Sequence, residues 1–298
     1  MLTTIYGSCS LTGCADGNYP EASLIQINDG SLYGTTFLGG ANNDGTVFRL
    51  GPAPSTVLPA ISQSGGVVNG ASFLAGIAPN SWITITGTNL SPVTDTWANS
   101  IVNGNLPTML DGVSVSVGGE PAYICYVSPT QINALAANVV GSGVVTVTNS
   151  GETIPEVIAA VESFAPAFFQ WPGNYAVATR QDYSLAVKNG TFAGVTTTPA
   201  APGDVIILWG SGFGPTSPAA PVGVATPSTT IYNTANKVTV TVGGAPATVY
   251  GAALASGDAG LYQVAIQIPT SLANGDYAVV ATVSSAQSPS TTLITVQN

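Results

Sequence analysis

Val113-Ser114-Val115-Ser116-Val117 and Val238-Thr239-Val240-Thr241-Val242 alternate apolar and polar side chains with period two. That spacing puts the valines on one face of a strand and the hydroxyls on the other. Gly118-Gly119 and Gly243-Gly244 follow and supply the positive-φ residues of a tight hairpin turn. The returning strands are Ala122 to Val127 and Ala247 to Tyr250. Upstream, Ile83 and Ile85 alternate with Thr84 and Thr86 until Gly87 breaks the strand, and Val205-Ile206-Ile207-Leu208-Trp209 has the length of a buried strand. Further strands are expected at Val144–Thr148, Ala278–Val283 and Leu293–Val296. Strand signals return roughly every 8 to 12 residues with no helical period between them, the signature of antiparallel sandwiches. The predicted fold class is all-β: two tandem immunoglobulin-like antiparallel β-sandwiches after a small N-terminal β-repeat segment.

An internal repeat orders these strands. Ala78–Pro92 recurs as Ala201–Pro215, Val113–Ala122 recurs as Val238–Ala247, and Gln131-Ile132 is echoed by Gln263-Val264. Constant order and similar spacing indicate a duplicated domain. The expected organisation is an orphan β-repeat unit over 1–50, a Pro-rich linker over 51–59, one sandwich over 60–160 and a second over 161–298. The join, Phe164-Ala165-Pro166-Ala167-Phe168-Phe169, is apolar enough to be packed and stiff. Within 1–50, stretches such as Leu32–Thr36 and Gly45–Leu50 read as three or four short strands separated by Asp-Gly and Gly-Gly turns.

Composition narrows the function classes. Charged residues are 6% of the chain, against about 25% in an average soluble protein. A largely helical chain would need more Glu, Lys and Arg than that. With 35 Gly and 21 Pro, disorder is the competing reading, but 45% of residues are hydrophobic and they alternate in order. The net charge of −10 leaves no basic surface for nucleic acid and disfavours anionic membranes. No apolar run approaches the roughly 18 residues of a spanning helix, so no membrane insertion is expected. Met1 to Tyr6 lacks the basic start and apolar stretch of a signal peptide. Low charge, abundant Thr and Ser, and scarce Lys nonetheless suit an exported surface protein whose upstream sequence is missing from this chain, with an intracellular protein as the alternative reading.

The chain has no histidine, which removes Ser-His-Asp and Cys-His chemistry. Its carboxylates sit mostly beside glycines in turns, as in Asp16-Gly17, Asp29-Gly30, Asp44-Gly45 and Asp111-Gly112. Turn chemistry explains them, although sequence alone leaves paired carboxylates for glycoside hydrolysis open. No catalytic residue, cofactor or metal ligand is assigned. Calcium is the one ion with candidate oxygens, at Asp16, Asp29, Asp44, Asp95 and Asp258, but no Asp-x-Asp-x-Asp pattern accompanies them. Cys9 and Cys14 bracket a short turn-prone loop and are read as a disulfide, worth about 2 kcal/mol for so small a ring. Zinc is the weaker alternative without histidine. Cys125, between Ile124 and Tyr126, reads as an inert buried thiol. Trp97, Trp171 and Tyr175 lie in loop-like stretches and are candidate glycan contacts, with core or interdomain packing as the plainer reading. Gly210-Ser211-Gly212-Phe213-Gly214 reads as a strand-to-turn corner and not a phosphate loop.

Several blocks resemble a known family. Val68–Phe73, Leu110–Val113, Tyr126–Asn133, Gly210–Pro215 and Gly260–Val264 resemble the duplicated Solibacter-type C-terminal domain of large secreted acidobacterial proteins, over about 60–298. Each half is also similar to an IPT/TIG-type immunoglobulin-like domain. Residues 1–50, with Leu32-Tyr33-Gly34-Thr35-Thr36 and Gly45-Thr46-Val47-Phe48, are similar to one unit of a tandem β-repeat of bacterial surface proteins. That repeat comes in propeller-like arrays, whereas a single unit stands here. The resemblance implies an exported, surface-associated, structural or adhesive protein and supplies no catalytic residue. The expected function is a non-catalytic extracellular structural protein. It would self-assemble as a surface, filament or stalk component, its N-terminal segment docking on a neighbouring copy. The alternatives are a glycan- or polymer-binding adhesin, or the accessory C-terminal region of a larger secreted enzyme.

Overall fold

A computed structural model describes residues 6–26, 31–51, 59–136 and 143–298. The chain divides into Met1–Leu58 and Pro59–Asn298. Strands dominate both units, and among the described residues the helical segments are two 3₁₀ turns, Thr12–Cys14 and Trp97–Asn99. The all-β expectation holds. Residues 52–58 of the Pro-rich linker and the Asp29-Gly30 turn lie outside the described residues.

The N-terminal unit is a three-stranded antiparallel sheet of Ile25–Gln26, Leu32–Thr36 and Thr46–Leu50. Cys9 and Cys14 are joined as a disulfide. Asp16 braces their loop, accepting hydrogen bonds from the Tyr6 hydroxyl (2.6 Å), the Ser10 hydroxyl (2.7 Å) and the Ser10 and Leu11 amides (2.9 and 3.1 Å). These donors, Tyr6 foremost, hold its carboxyl well below the usual carboxylate range. The buried residues described in this unit are Gly17, Ser31, Gly34, Thr36 and Gly39, none of them a large apolar side chain. Ile25, Phe37 and Val47 are instead 68%, 70% and 77% exposed.

The first sandwich stacks two sheets. One runs Ala60–Ile61, Trp82–Thr88, Gln131–Leu135, Tyr123–Val127, Asp95–Thr96; the other is built around Val113–Val117 and Val144–Asn149. Period two is realised directly: Val113, Val115 and Val117 are buried while Ser114 and Ser116 face out. They meet Ile83, Ile85 and Ile132 of the opposite sheet in one core. Burying each such side chain stabilises the fold by about 1.5–3 kcal/mol.

In the second sandwich, Ala245–Leu254 and Gly275–Val283 are long enough to pair on both layers. They link Val205–Ser211, Tyr262–Gln267, Val238–Val242 and Leu293–Val296 into one continuous folded sheet. Ile206, Leu208, Val240, Val264 and Ile266 form its core with Phe168, Phe213 and Tyr262. Phe213 packs tilted against Phe168 and Tyr262 at centroid distances of 5.7 and 5.5 Å, and the buried Tyr262 hydroxyl donates to the Gly214 carbonyl.

Strand pairing places repeat-matched residues in matching environments. Gln131 lies opposite Thr86, and Gln263 opposite Trp209. Ile61 lies opposite Gly87, and Phe168 opposite Gly210. A β-bulge falls at Cys125 in one sandwich and at Tyr250, its repeat counterpart, in the other. Both glycines are required for the same reason, since a Cβ would overlap the carbonyl oxygen of Ala60 at position 87 and of Ala167 at position 210.

Candidate functional site

In an antiparallel sandwich the positions between core residues face outward and are ordinarily polar. Along Trp82–Thr88 the outward positions are Trp82, Thr84 and Thr86; along Val205–Ser211 they are Val205, Ile207 and Trp209. Two tryptophans thus stand where the pattern calls for polar groups. Both line a cleft of about 780 Å³ between the sandwiches, together with Trp97, Phe169 and Tyr183.

Backbone and side-chain bonds crossing between the sandwiches fix the walls. The Trp82 amide donates to Ser211 Oγ (2.9 Å) and its indole Nε1 to the Ala259 carbonyl (2.9 Å). Trp97 packs edge-on against Trp82, centroids 5.5 Å apart at 70°. The Trp209 Nε1 donates to Thr179 Oγ1 (2.9 Å). With their indole N–H groups engaged, Trp82 and Trp209 offer the cleft mainly carbon surface. A small cluster of Leu106, Leu135 and Ala259 and a bond from the Leu106 amide to the Gly223 carbonyl (2.8 Å) close the junction beside it.

Polar groups are few and placed. Asn133 Oδ1 accepts from Thr84 Oγ1 (3.0 Å) and from Gln131 Nε2 (2.9 Å), which leaves its amide hydrogens for the cleft. Gln170 donates Nε2 to Thr292 Oγ1 (2.9 Å), leaving its carbonyl oxygen as an acceptor. Among the described residues Asp258 is the one charged side chain of the lining, and desolvation raises its carboxyl above the ordinary value. Cys125 also lines the cleft, and burial pushes its thiol up to about 11, so it is protonated and unreactive at neutral pH.

Of the aromatics singled out from sequence, Trp97 lines the cleft, whereas Trp171 and Tyr175 face each other across the hairpin of Gln170–Trp171 and Tyr175–Ala176. Trp171 packs on Phe192 at 5.4 Å. The Tyr175 hydroxyl donates to Asp276 (3.0 Å), and Lys188 Nζ lies 5.8 Å from the Tyr175 ring centroid. Among the described residues no three potential metal ligands converge; Asp29 lies outside them. Asp95 does lie beside Asp111, whose carboxyl is raised by desolvation and by the Asp95 charge, but neither lines the cleft. Sequence reasoning passed over Trp82 and Trp209. Parity was the available signal: counting in twos from the buried Ile206 and Leu208 turns Trp209 outward.

Residues 76–158 match the IPT/TIG domain model, so the first sandwich carries an IPT/TIG domain. No curated protein matches the chain. Among solved structures, the mixed-linkage glucan utilization locus SGBP-B of Bacteroides ovatus, in complex with a mixed-linkage heptasaccharide, is 12% identical with a TM-score of 0.34 over 90% of this chain and 54% of its own. The surface glycan-binding protein PbSGBP-B of Prevotella bryantii is 12% identical, TM-score 0.24, over 78% of this chain and 41% of its own. The plexin A4 extracellular region is 12% identical, TM-score 0.26, over 86% of this chain. The chain spans 18% of that plexin's length. These likenesses assign no ligand to this chain. No helix among the described residues is long and apolar enough to cross a membrane.

Proposed function

We propose that this chain is a non-catalytic extracellular binding module whose ligand, a surface polymer, seats in the aromatic cleft between two sandwich domains of about 60–160 and 161–298. Trp82 and Trp209 carry the reading: both occupy outward strand positions and converge with Trp97 on one preformed cleft. A mostly apolar concavity of this volume with a few placed polar groups is the usual form of a ligand site. The lack of catalysis is supported by a chain without histidine, a protonated Cys125 and a lining with one carboxylate, which leaves no acid–base pair. The Cys9–Cys14 disulfide and the low charge support an extracellular setting. Retention of the full chain on cellulose, chitin, peptidoglycan sacculi and collagen tests the proposal. Wild type is expected to bind at least one, and Trp97→Ala and Trp209→Ala to release it while still folded. Equal retention of the variants, or no retention of wild type, refutes the cleft.

A second reading, self-assembly, is favoured by a separate observation. The N-terminal unit buries no large apolar side chain among its described residues and exposes Ile25, Phe37 and Val47. A lone three-stranded sheet gains stability by covering such a face, and a second copy of the chain can supply the cover. Removing residues 1–58 is expected to convert oligomers to single particles in mass photometry. Unchanged particle masses would refute it.

A further inference from the structure

Resting on the cleft reading above, we infer that the ligand is an uncharged polysaccharide chain and that Asp258 enforces this by rejecting acidic sugars. A pyranose ring has an apolar C–H face and a rim of hydroxyls, each both donor and acceptor. The cleft offers the complement of each part. Trp82, Trp97 and Trp209 supply ring surface whose negative faces suit polarised C–H groups. Asn133, its oxygen already engaged, supplies donors, and Gln170, its nitrogen already engaged, supplies an acceptor. Lipid tails would leave both amides unpaired at a desolvation penalty.

Charge selects among the polymers that remain. No lysine or arginine lines the cleft. Arg180 is engaged by Asp204 at 3.1 Å and Lys188 by Asp276 at 2.9 Å. A uronate carboxyl would meet Asp258 with no cation to offset it, in a chain of net charge −10. A cationic peptide would find a single, solvent-exposed carboxylate while the amides went unused. An uncharged glycan uses every group present. The volume of about 780 Å³ suits an oligosaccharide segment more than a single sugar.

Affinity electrophoresis of the full chain at pH 7 and low salt tests this, with β-glucan, galactomannan and xylan as neutral polymers. Polygalacturonate and alginate serve as acidic ones, and a lysine-rich peptide is titrated in parallel. At least one neutral polymer should bind, with acidic polymers at least about tenfold weaker. Asp258→Asn should narrow that ratio by about threefold or more, the size of one partly exposed charge interaction. Glu152→Gln, which removes an exposed charge that does not line the cleft, should leave it unchanged. Acidic polymers binding as tightly as neutral ones, peptide binding in place of glycan, or no neutral polymer bound would overturn the ligand class. A ratio indifferent to Asp258→Asn would overturn that residue's role. Undiminished glycan binding by Trp97→Ala and Trp209→Ala would instead overturn the cleft itself, so the two failures are distinguishable.

Discussion

The central strand of the first sandwich turns Trp82, Thr84 and Thr86 outward, and the matching positions of the second carry Val205, Ile207 and Trp209. Inward, the same two strands are nearly interchangeable, with Ile83 and Ile85 answering Ile206 and Leu208 in fully buried positions. The packed interior tolerates only volume-conserving changes. The outer face is free to diverge, and it is there that one repeat presents hydroxyls with a leading tryptophan and the other aliphatic groups with a trailing one. The cleft belongs to neither repeat alone, because it forms where two diverged outer faces meet.

The strongest way to break the equivalence is to strike the shared interior. Ile85→Ala and Leu208→Ala should each cost about 3 kcal/mol in urea denaturation; a negligible effect at either site would mean that the frames are not alike. Next in size are the matched glycines. Gly87→Ala and Gly210→Ala should each lower stability by about 1–3 kcal/mol, the usual penalty for forcing atoms into occupied space, read as lowered Tm in calorimetry.

Acid sharpens a difference between the sandwiches. In the second, burial pulls the Asp276 carboxyl up, but hydrogen bonds from Thr295 (2.6 Å), Lys188 (2.9 Å) and Tyr175 (3.0 Å) outweigh it and leave its pKa lowered. Its contribution is therefore complete above the unfolded value of about 4 and disappears as pH falls through the lower folded value. Asp276→Asn should reduce Tm at pH 7 and flatten its decline below pH 4. In the first sandwich Asp111 is raised, chiefly by desolvation and then by Asp95, so the sign reverses. Its ionised form opposes folding above its folded pKa and protonation relieves this. The smallest expected effect is accordingly a slight rise in Tm at pH 7 for Asp111→Asn; a fall would contradict the assignment.

Strand positions and the recurrence of sequence blocks were legible because period-two alternation and Gly-Gly turns are local signals. The echo of Gln131 by Gln263 even marks the register that pairs them with Thr86 and Trp209. The cleft was not legible, since Trp82, Trp97, Phe169, Tyr183 and Trp209 come from both repeats and meet only through tertiary packing. Trp209 was further masked by the apolar run before it, which reads as buried on both faces although Val205 is 49% exposed. Trp171 and Tyr175 looked available as loop residues, but a hairpin pairs them and Asp276 engages the tyrosine. Residues 1–50 showed their strands, while the scarcity of buried apolar side chains became apparent only once the strands were placed.

Cys125 gives the cleft a built-in reporter, being the free cysteine of the chain and part of the lining. Its alkylation by iodoacetamide at pH 9, followed by mass spectrometry with and without saturating β-glucan oligosaccharide, addresses the ligand site directly. Occupied cleft should slow wild-type labelling at least about tenfold, as expected when most sites are filled, while Trp209→Ala labels at the same rate either way. Unchanged wild-type labelling, with the oligosaccharide shown to be bound, would place the ligand elsewhere on the molecule.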